Sequence, residues 1–225
     1  KNRFWHHVKA SKLRDNWSAE LPIFSTAMPL WVYGNVTYKL PNPVSGAGYY
    51  YGEYTADRFV LSSLMKVVSP SEMKASQSLV SMKPQQLIED FKGDWQKEWF
   101  SYKPAKLGIS THKIHDPVWK APSQAKLSFD VFAEEANRFV VSIDSYATEI
   151  AIEGPGRYTK VELDCSEFTN AEGQSLQVWD GIKELRLREA ETLRPGRGSD
   201  AKPKKLGGSW NGKVPKFRNL RWVNN

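Results

Sequence analysis

The chain has 225 residues, 40% of them hydrophobic, and 32 Lys and Arg against 25 Asp and Glu give a formal net charge of +7. This length allows one large domain or two small ones with a real core, while a single cysteine, Cys165, excludes an intramolecular disulfide. No apolar run approaches the roughly 20 residues that span a bilayer, and the basic residues form neither a stripe nor a nucleic-acid motif, so no membrane and no nucleic acid is expected as a partner.

In residues 1–20, Phe4, Trp5, Val8 and Leu13 are spaced to line one face of a short helix. The adjacent pair His6 and His7 cannot share a helix face, which argues against a joint metal site. Residues 30–40 alternate in bulk and predict a strand; residues 41–48 hold the prolines and glycines of a loop. Tyr49, Tyr50, Tyr51 and Tyr54 follow, then a strand over residues 58–68 and a short helix or turn from Pro70 to Ala75. Residues 77–84 read as a linker. An opening strand spans residues 87–91, and residues 93–102 are dense in aromatic side chains.

The clearest signal runs from residue 125 to residue 189. Strands are predicted at residues 125–132, 138–144, 149–153, 158–163 and 182–188, because bulk alternates with period two. Leu127, Phe129 and Val131 point one way, as do Phe139, Val141 and Ile143, while Leu185 and Leu187 alternate with Glu184, Arg186 and Arg188. Turn residues such as Gly154 and Gly156 separate the runs. Residues 192–212 read as a long basic loop, and residues 217–223 as a last strand with Leu220 and Trp222 inward. Trp31 and Trp179 are expected in the core with Trp222. Cys165 reads as a small buried hydrophobe at a strand end. The chain is therefore expected to be mostly β: an antiparallel β-sandwich of the jelly-roll kind over residues 85–225, with a smaller β-containing segment over residues 1–84.

Catalytic constellations are weak. Gly207-Gly208-Ser209-Trp210-Asn211 fails the Gly-x-Ser-x-Gly elbow at its last position and lacks a strand–turn–helix setting. His112 and His115 would face opposite ways in a strand, and only a turn at Ile114 would bring them together. A glycosidase needs two carboxylates about 5–9 Å apart across a cleft; Asp94, Asp130, Asp144 and Glu184 read instead as solvated groups on a sheet face. No residue is assigned a catalytic role.

Two resemblances bear on function. Ile88-Glu-Asp-Phe91, Leu127-Ser-Phe-Asp-Val131, Phe139-Val-Val-Ser-Ile143, Tyr158-Thr-Lys-Val-Glu-Leu163, Ile182-Lys-Glu-Leu-Arg-Leu187 and Phe217-Arg-Asn-Leu-Arg-Trp222 occur in that order. Together they resemble the galactose-binding-like jelly rolls that serve as carbohydrate-binding modules. Phe4-Trp-His-His-Val8, Leu13-Arg-Asp-Asn-Trp17, Pro29-Leu-Trp-Val-Tyr33 and Tyr54-Thr-Ala-Asp57 resemble the segment after the catalytic fold in secreted bacterial α/β-hydrolase-like proteins. Those are related to the PhoPQ-activated pathogenicity-related type. The resemblance implies a non-catalytic accessory portion of a larger secreted or periplasmic hydrolase. Its partners would be a polysaccharide, acidic or sulfated in view of the positive charge, and the catalytic domain of the parent hydrolase.

Such jelly rolls often hold a structural calcium between the opening strand and an aspartate of the closing one. The matching positions here are Glu89, Asp90 and Asn219, where an amide oxygen replaces a carboxylate and should weaken the site. For a sugar, the rings in polar, loop-rich sequence are Trp95, Trp99, Tyr102 and Trp119, whose faces can stack on C–H surfaces. On an outward sheet face Asp144, Arg186 and Arg188 would line a polar groove, the arginine forks matching carboxylate or sulfate. Two other readings stand beside this one. The chain is itself an esterase or glycosidase, or it is a structural domain that docks on its catalytic partner through the apolar surface around Phe4, Trp5 and Trp17.

Overall fold

The computed structural model describes residues 5–48, 52–101, 105–154 and 156–224. The chain divides into two units: His6–Met82, and Lys83–Asn225 together with Lys1–Trp5.

The unit His6–Met82 is built from two-stranded ribbons. Strand β1 (Ser11–Leu13) pairs with β2 (Asn16–Ser18), where the sequence pattern predicts a helix. Arg14 takes a left-handed φ of 54°, which turns the chain at the tip. Leu13 and Trp17 are 68% and 66% exposed, so the apolar spacing there has no core to face and does not hold a helix. Strand β3 (Leu30–Val32) pairs with β6 (Lys66–Val68), and the long β4 (Asn35–Gly48) pairs with β5 (Gly52–Ser62). The expected loop at residues 41–48 belongs to β4, because a register slip between Lys39 and Val44 takes Pro41 and Pro43 off the hydrogen-bonded ladder. Tyr49, Tyr50 and Tyr51 lie outside the described residues. Helix α1 (Pro70–Ala75) starts at Ser69, whose side chain and that of Glu72 form a reciprocal capping box. Met73 is the one buried residue among the described residues of this unit. Trp31, expected in the core, is 38% exposed.

The second unit is an antiparallel β-sandwich. One sheet has the order β12-β9-β16-β7, formed by Tyr158–Leu163, Lys126–Phe132, Lys216–Val223 and Leu87–Glu89. The other has the order β11-β10-β13-β8, formed by Tyr146–Ile152, Asn137–Ile143, Leu185–Arg188 and Gly108–Thr111. Counting β7 to β13 and then β16 as strands one to eight, the sheets read 6-3-8-1 and 5-4-7-2, the arrangement of a jelly roll. The rows read from the alternation face each other. Leu127, Phe129 and Val131 of β9 and Phe139, Val141 and Ile143 of β10 are at most 1% exposed, as are Leu185, Leu187, Leu220 and Trp222. Each such side chain contributes about 1.5–3 kcal/mol through burial.

On β10 the alternation fails with consequences. Val140 and Ser142 lie on the outer face of β10 yet are fully buried. The expected loop over residues 192–212 contains a hairpin, β14 (Ala190–Leu193) with β15 (Lys204–Gly207), which covers that face. Val140, Ala147 and Leu193 form a small second core with Ala171 and Leu206. Gly207, at φ 73°, makes the close approach: a Cβ there would collide with the Glu189 carbonyl and come within 2.8 Å of a Val140 methyl.

A two-stranded ribbon is at best marginally stable by itself. Limited proteolysis of the intact chain should therefore cut first within residues 6–82 and leave a resistant core spanning residues 83–224. Mass spectrometry of the fragments checks this, and equal resistance of both units would refute it.

Candidate functional site

The opening strand ends at a buried carboxylate. Glu89, 7% exposed, closes β7 and pairs in register with Leu220 of β16. The chain then turns, with Phe91 at φ 61°. This bend points the backbone N–H groups of Asp90 and Phe91 back at Glu89 Oε1, at 3.1 and 3.2 Å. The second oxygen, Oε2, accepts from Trp99 Nε1 at 3.2 Å and from Lys113 Nζ at 3.1 Å. Lys113 stands on a one-turn 3-10 helix, Lys113–His115, and its side chain is 12% exposed. The same ammonium reaches Glu98 Oε2 at 2.7 Å and lies 4.6 Å from the centroid of the Trp119 ring.

This arrangement decides what the predicted aromatic residues can do. Trp99 is buried and its indole nitrogen is spent on Glu89, so it offers no face to a sugar. Trp95 is half-buried and meets Trp99 edge-on, with centroids 6.1 Å apart, and Phe91 at 5.2 Å. Trp119 donates to the Leu87 carbonyl at 3.1 Å and lies beneath the Lys113 ammonium. Trp99 and Trp119 thus pack around the Glu89–Lys113 ion pair, and Trp95 packs edge-on against Trp99. Tyr102 lies outside the described residues.

The expected calcium positions are neighbours in the sheet but have different partners. Glu89 faces the Lys113 ammonium, and Asp90 Oδ1 accepts from the backbone of Lys92 at 2.9 Å. Asn219, in a left-handed turn at φ 59°, donates its amide to Asp130 Oδ2 at 3.0 Å. Calcium needs six to eight converging oxygens at about 2.3–2.6 Å. These three side chains serve three separate partners, one of them already a cation, and do not fit a shared calcium ion. Among the described residues no group of three or more His, Cys, Asp or Glu stands ready for a metal.

Asp144, Arg186 and Arg188 do come together, but not around an open groove. Asp144 accepts from the backbone of Lys183 at 3.1 Å and of Glu184 at 3.0 Å, tying the β10–β11 turn to the start of β13. Arg186 donates to Glu184 at 2.9 Å, to Glu191 at 3.1 Å and to the Asp144 carbonyl, and Arg188 donates to Glu191 at 3.0 Å. Glu191 belongs to β14. The hairpin that buries Val140 therefore also supplies the carboxylate for both arginine forks, and the Arg186 side chain is left 13% exposed. Sequence alone gave no sign of Lys113 or Glu191 as the partners, although both lie in stretches rich in charge.

The outer face of the other sheet stays open. Tyr158, Phe132 and Lys216 form one cross-strand row, and Lys160, Asp130 and Arg218 the next. The Arg218 guanidinium lies 3.9 Å from the Tyr158 ring and donates to Asp130 at 2.9 Å, with its side chain still 48% exposed. Burial opposes the charge on Asp130, but the hydrogen bonds from Asn219 and Arg218 outweigh it and hold the carboxyl below its ordinary 3.8. Elsewhere, the turn at Ile114 does form, and His112 Nδ1 lies 3.3 Å from the Lys183 carbonyl. Burial, then the charge of Lys183, pushes the pKa of His115 down. Ser209 is exposed. Cys165 packs at the core edge, its Sγ donating to the Gln177 carbonyl at 3.4 Å.

Comparison with family models, with curated proteins and with solved structures finds no match to this chain.

Lys113→Met should cost about 3 kcal/mol in urea unfolding, because it strands a buried carboxylate, and Glu89→Gln added to it should recover part of the loss, because a neutral amide oxygen can still accept from Trp99 and the backbone. The wild-type melting temperature should be the same in calcium and in EDTA; a rise of several degrees with calcium would contradict the lysine's role. A carboxyl whose folded pKa is depressed contributes stability above its ordinary value and loses it as pH falls through the folded one. Asp130→Asn should therefore cost about 1 kcal/mol at pH 7, a gap that narrows as pH drops below 3.8.

Proposed function

We propose that this chain is a non-catalytic accessory part of a larger secreted hydrolase and that its sandwich binds polysaccharide. The observation that carries the reading is the difference between the two outer sheet faces. Hairpin β14–β15 closes one. The other presents Tyr158 and Phe132 side by side, ring centroids 5.5 Å apart, among exposed Lys160, Lys216 and Arg218. Aromatic rings beside hydrogen-bonding and charged groups suit a sugar chain laid across the strands. The order of the sandwich strands and the resemblance to carbohydrate-binding jelly rolls support the same reading.

A specific observation favours a second role for His6–Met82. On the β4–β5 ribbon Val36 pairs with Leu61 and Tyr38 with Phe59, so these four side chains share one face, each 44–55% exposed. Tyr38 and Phe59 stack at 5.0 Å. An apolar face of this kind on a single-layer ribbon needs a second layer. In this proposal the catalytic domain of the parent hydrolase supplies it, and the two roles belong to one accessory part.

Affinity electrophoresis against a panel of neutral and acidic polysaccharides tests the main reading. Retardation by at least one of them, reduced by Tyr158→Ala, is expected. Retardation by none would remove the carbohydrate reading and leave docking alone.

A further inference from the structure

Beside the open sheet face lies a hollow of about 530 Å³ lined by Lys106, Phe132, Glu134, Gly212, Lys213, Val214 and Lys216. This is within the range of small-ligand sites, about 300–1,000 Å³. Three ammonium groups thus stand against one carboxylate around a partly buried ring. Lys216 Nζ is 5.8 Å from the Phe132 centroid, and Lys106 Nζ reaches the Trp210 carbonyl at 3.4 Å. Lys213 pairs with Glu134 at 2.9 Å, but their side chains are 82% and 45% exposed. An ion pair so open to water is worth little and exchanges readily for a ligand's charge.

Resting on the carbohydrate reading, we propose that this hollow takes an acidic sugar residue. Its carboxylate or sulfate meets Lys106, Lys213 and Lys216, and its C–H face lies on Phe132. The backbone supports this geometry. Lys216 and Phe132 are direct cross-strand partners on β16 and β9. Gly212, at φ 74°, bends the chain so that Lys213 is carried on the approach to β16. Arg218 and Lys160, one row further along, extend the positive surface so that a second acidic residue of the same chain finds a partner. The arginine pair expected to read the acid group is instead paired with Glu184 and Glu191, while Lys160 and Lys216 of the opposite sheet are exposed.

The test uses the intact chain and three kinds of probe: polygalacturonate for carboxylates, chondroitin sulfate for sulfates, and a neutral xylan. A single-stranded DNA oligomer serves as a polyanion without sugar acids. Binding to at least one acidic polysaccharide is expected, falling at least fivefold in Lys213→Gln/Lys216→Gln and weakening with salt. Both residues are exposed, so the double variant should melt at the wild-type temperature. Phe132→Leu should weaken the same binding while keeping apolar bulk. Undiminished acidic binding in the double variant overturns the assignment, as does equally tight binding of the DNA. Retardation by xylan without any by the acidic probes also overturns it but leaves the carbohydrate reading standing. Retardation by no polysaccharide removes both.

Discussion

Leu127, Phe129 and Val131 on β9 bury themselves against Phe139, Val141 and Ile143 on β10, and every other feature of the sandwich is placed by that contact. A strand has two faces, and committing one row to the core fixes where the alternate row must go. On β9 the alternate row is Asp130 and Phe132, which face outward beside Lys160 and Tyr158. On β10 it is Val140 and Ser142, which would waste a fully apolar side chain on water. The hairpin β14–β15 resolves that conflict by adding a third layer over one sheet only. The asymmetry of the two outer faces, and hence the location of any binding surface, is a consequence of one valine and the glycine that lets a strand lie on it.

The same economy governs charge. Burial of an ion is costly unless a partner and hydrogen bonds come with it. Glu89 receives four donors, two of them backbone groups and one an ammonium. Arg186 receives two carboxylates and a carbonyl. In both cases the groups that resemblance assigns to a ligand are consumed by the fold. Lys113 pairs with Glu89 at the end of the opening strand, and Glu191 pairs with both arginines of β13. On the other sheet Lys216 and Arg218 of β16 stay exposed, and Asp130 answers only part of their positive charge.

How much of this was legible in the sequence depends on how local each cause is. The rows of β9, β10, β12, β13 and β16 were readable because period-two alternation is a local property and burial follows from it directly. The two-sheet class followed from the number and spacing of those runs. Residues 5–20 misled because helical spacing of Trp5, Val8 and Leu13 says nothing about whether a core exists to receive them; Phe4 lies outside the described residues. Residues 192–212 misled because their glycines and lysines look like a loop, while the reason they form a hairpin is Val140, far away in the chain. Trp99 and Lys113 were beyond reach for the same cause: their shared partner Glu89 lies 10 and 24 residues away, across a turn that no pattern announces.

The contrast between the units carries the last step. In the sandwich two sheets supply each other's second layer, and the residue count of the core follows. In His6–Met82 the strands are of similar apolar content, yet Met73 alone among the described residues is buried. Val36, Tyr38, Phe59 and Leu61 share one face of β4–β5, while Asn35, Thr37, Lys39, Arg58 and Ser62 lie on the other with one apolar residue, Val60. On a ribbon with water on both sides, sorting side chains by face gains only cross-strand contacts such as the Tyr38–Phe59 stack. It becomes useful once an apolar surface covers one side, where burying four such residues yields several kcal/mol, on the order of 1.5–3 for each. The pattern on this ribbon suits a second layer of protein better than a sugar, and under the proposed function it divides the tasks: the N-terminal ribbons would attach, and the jelly roll would meet the ligand.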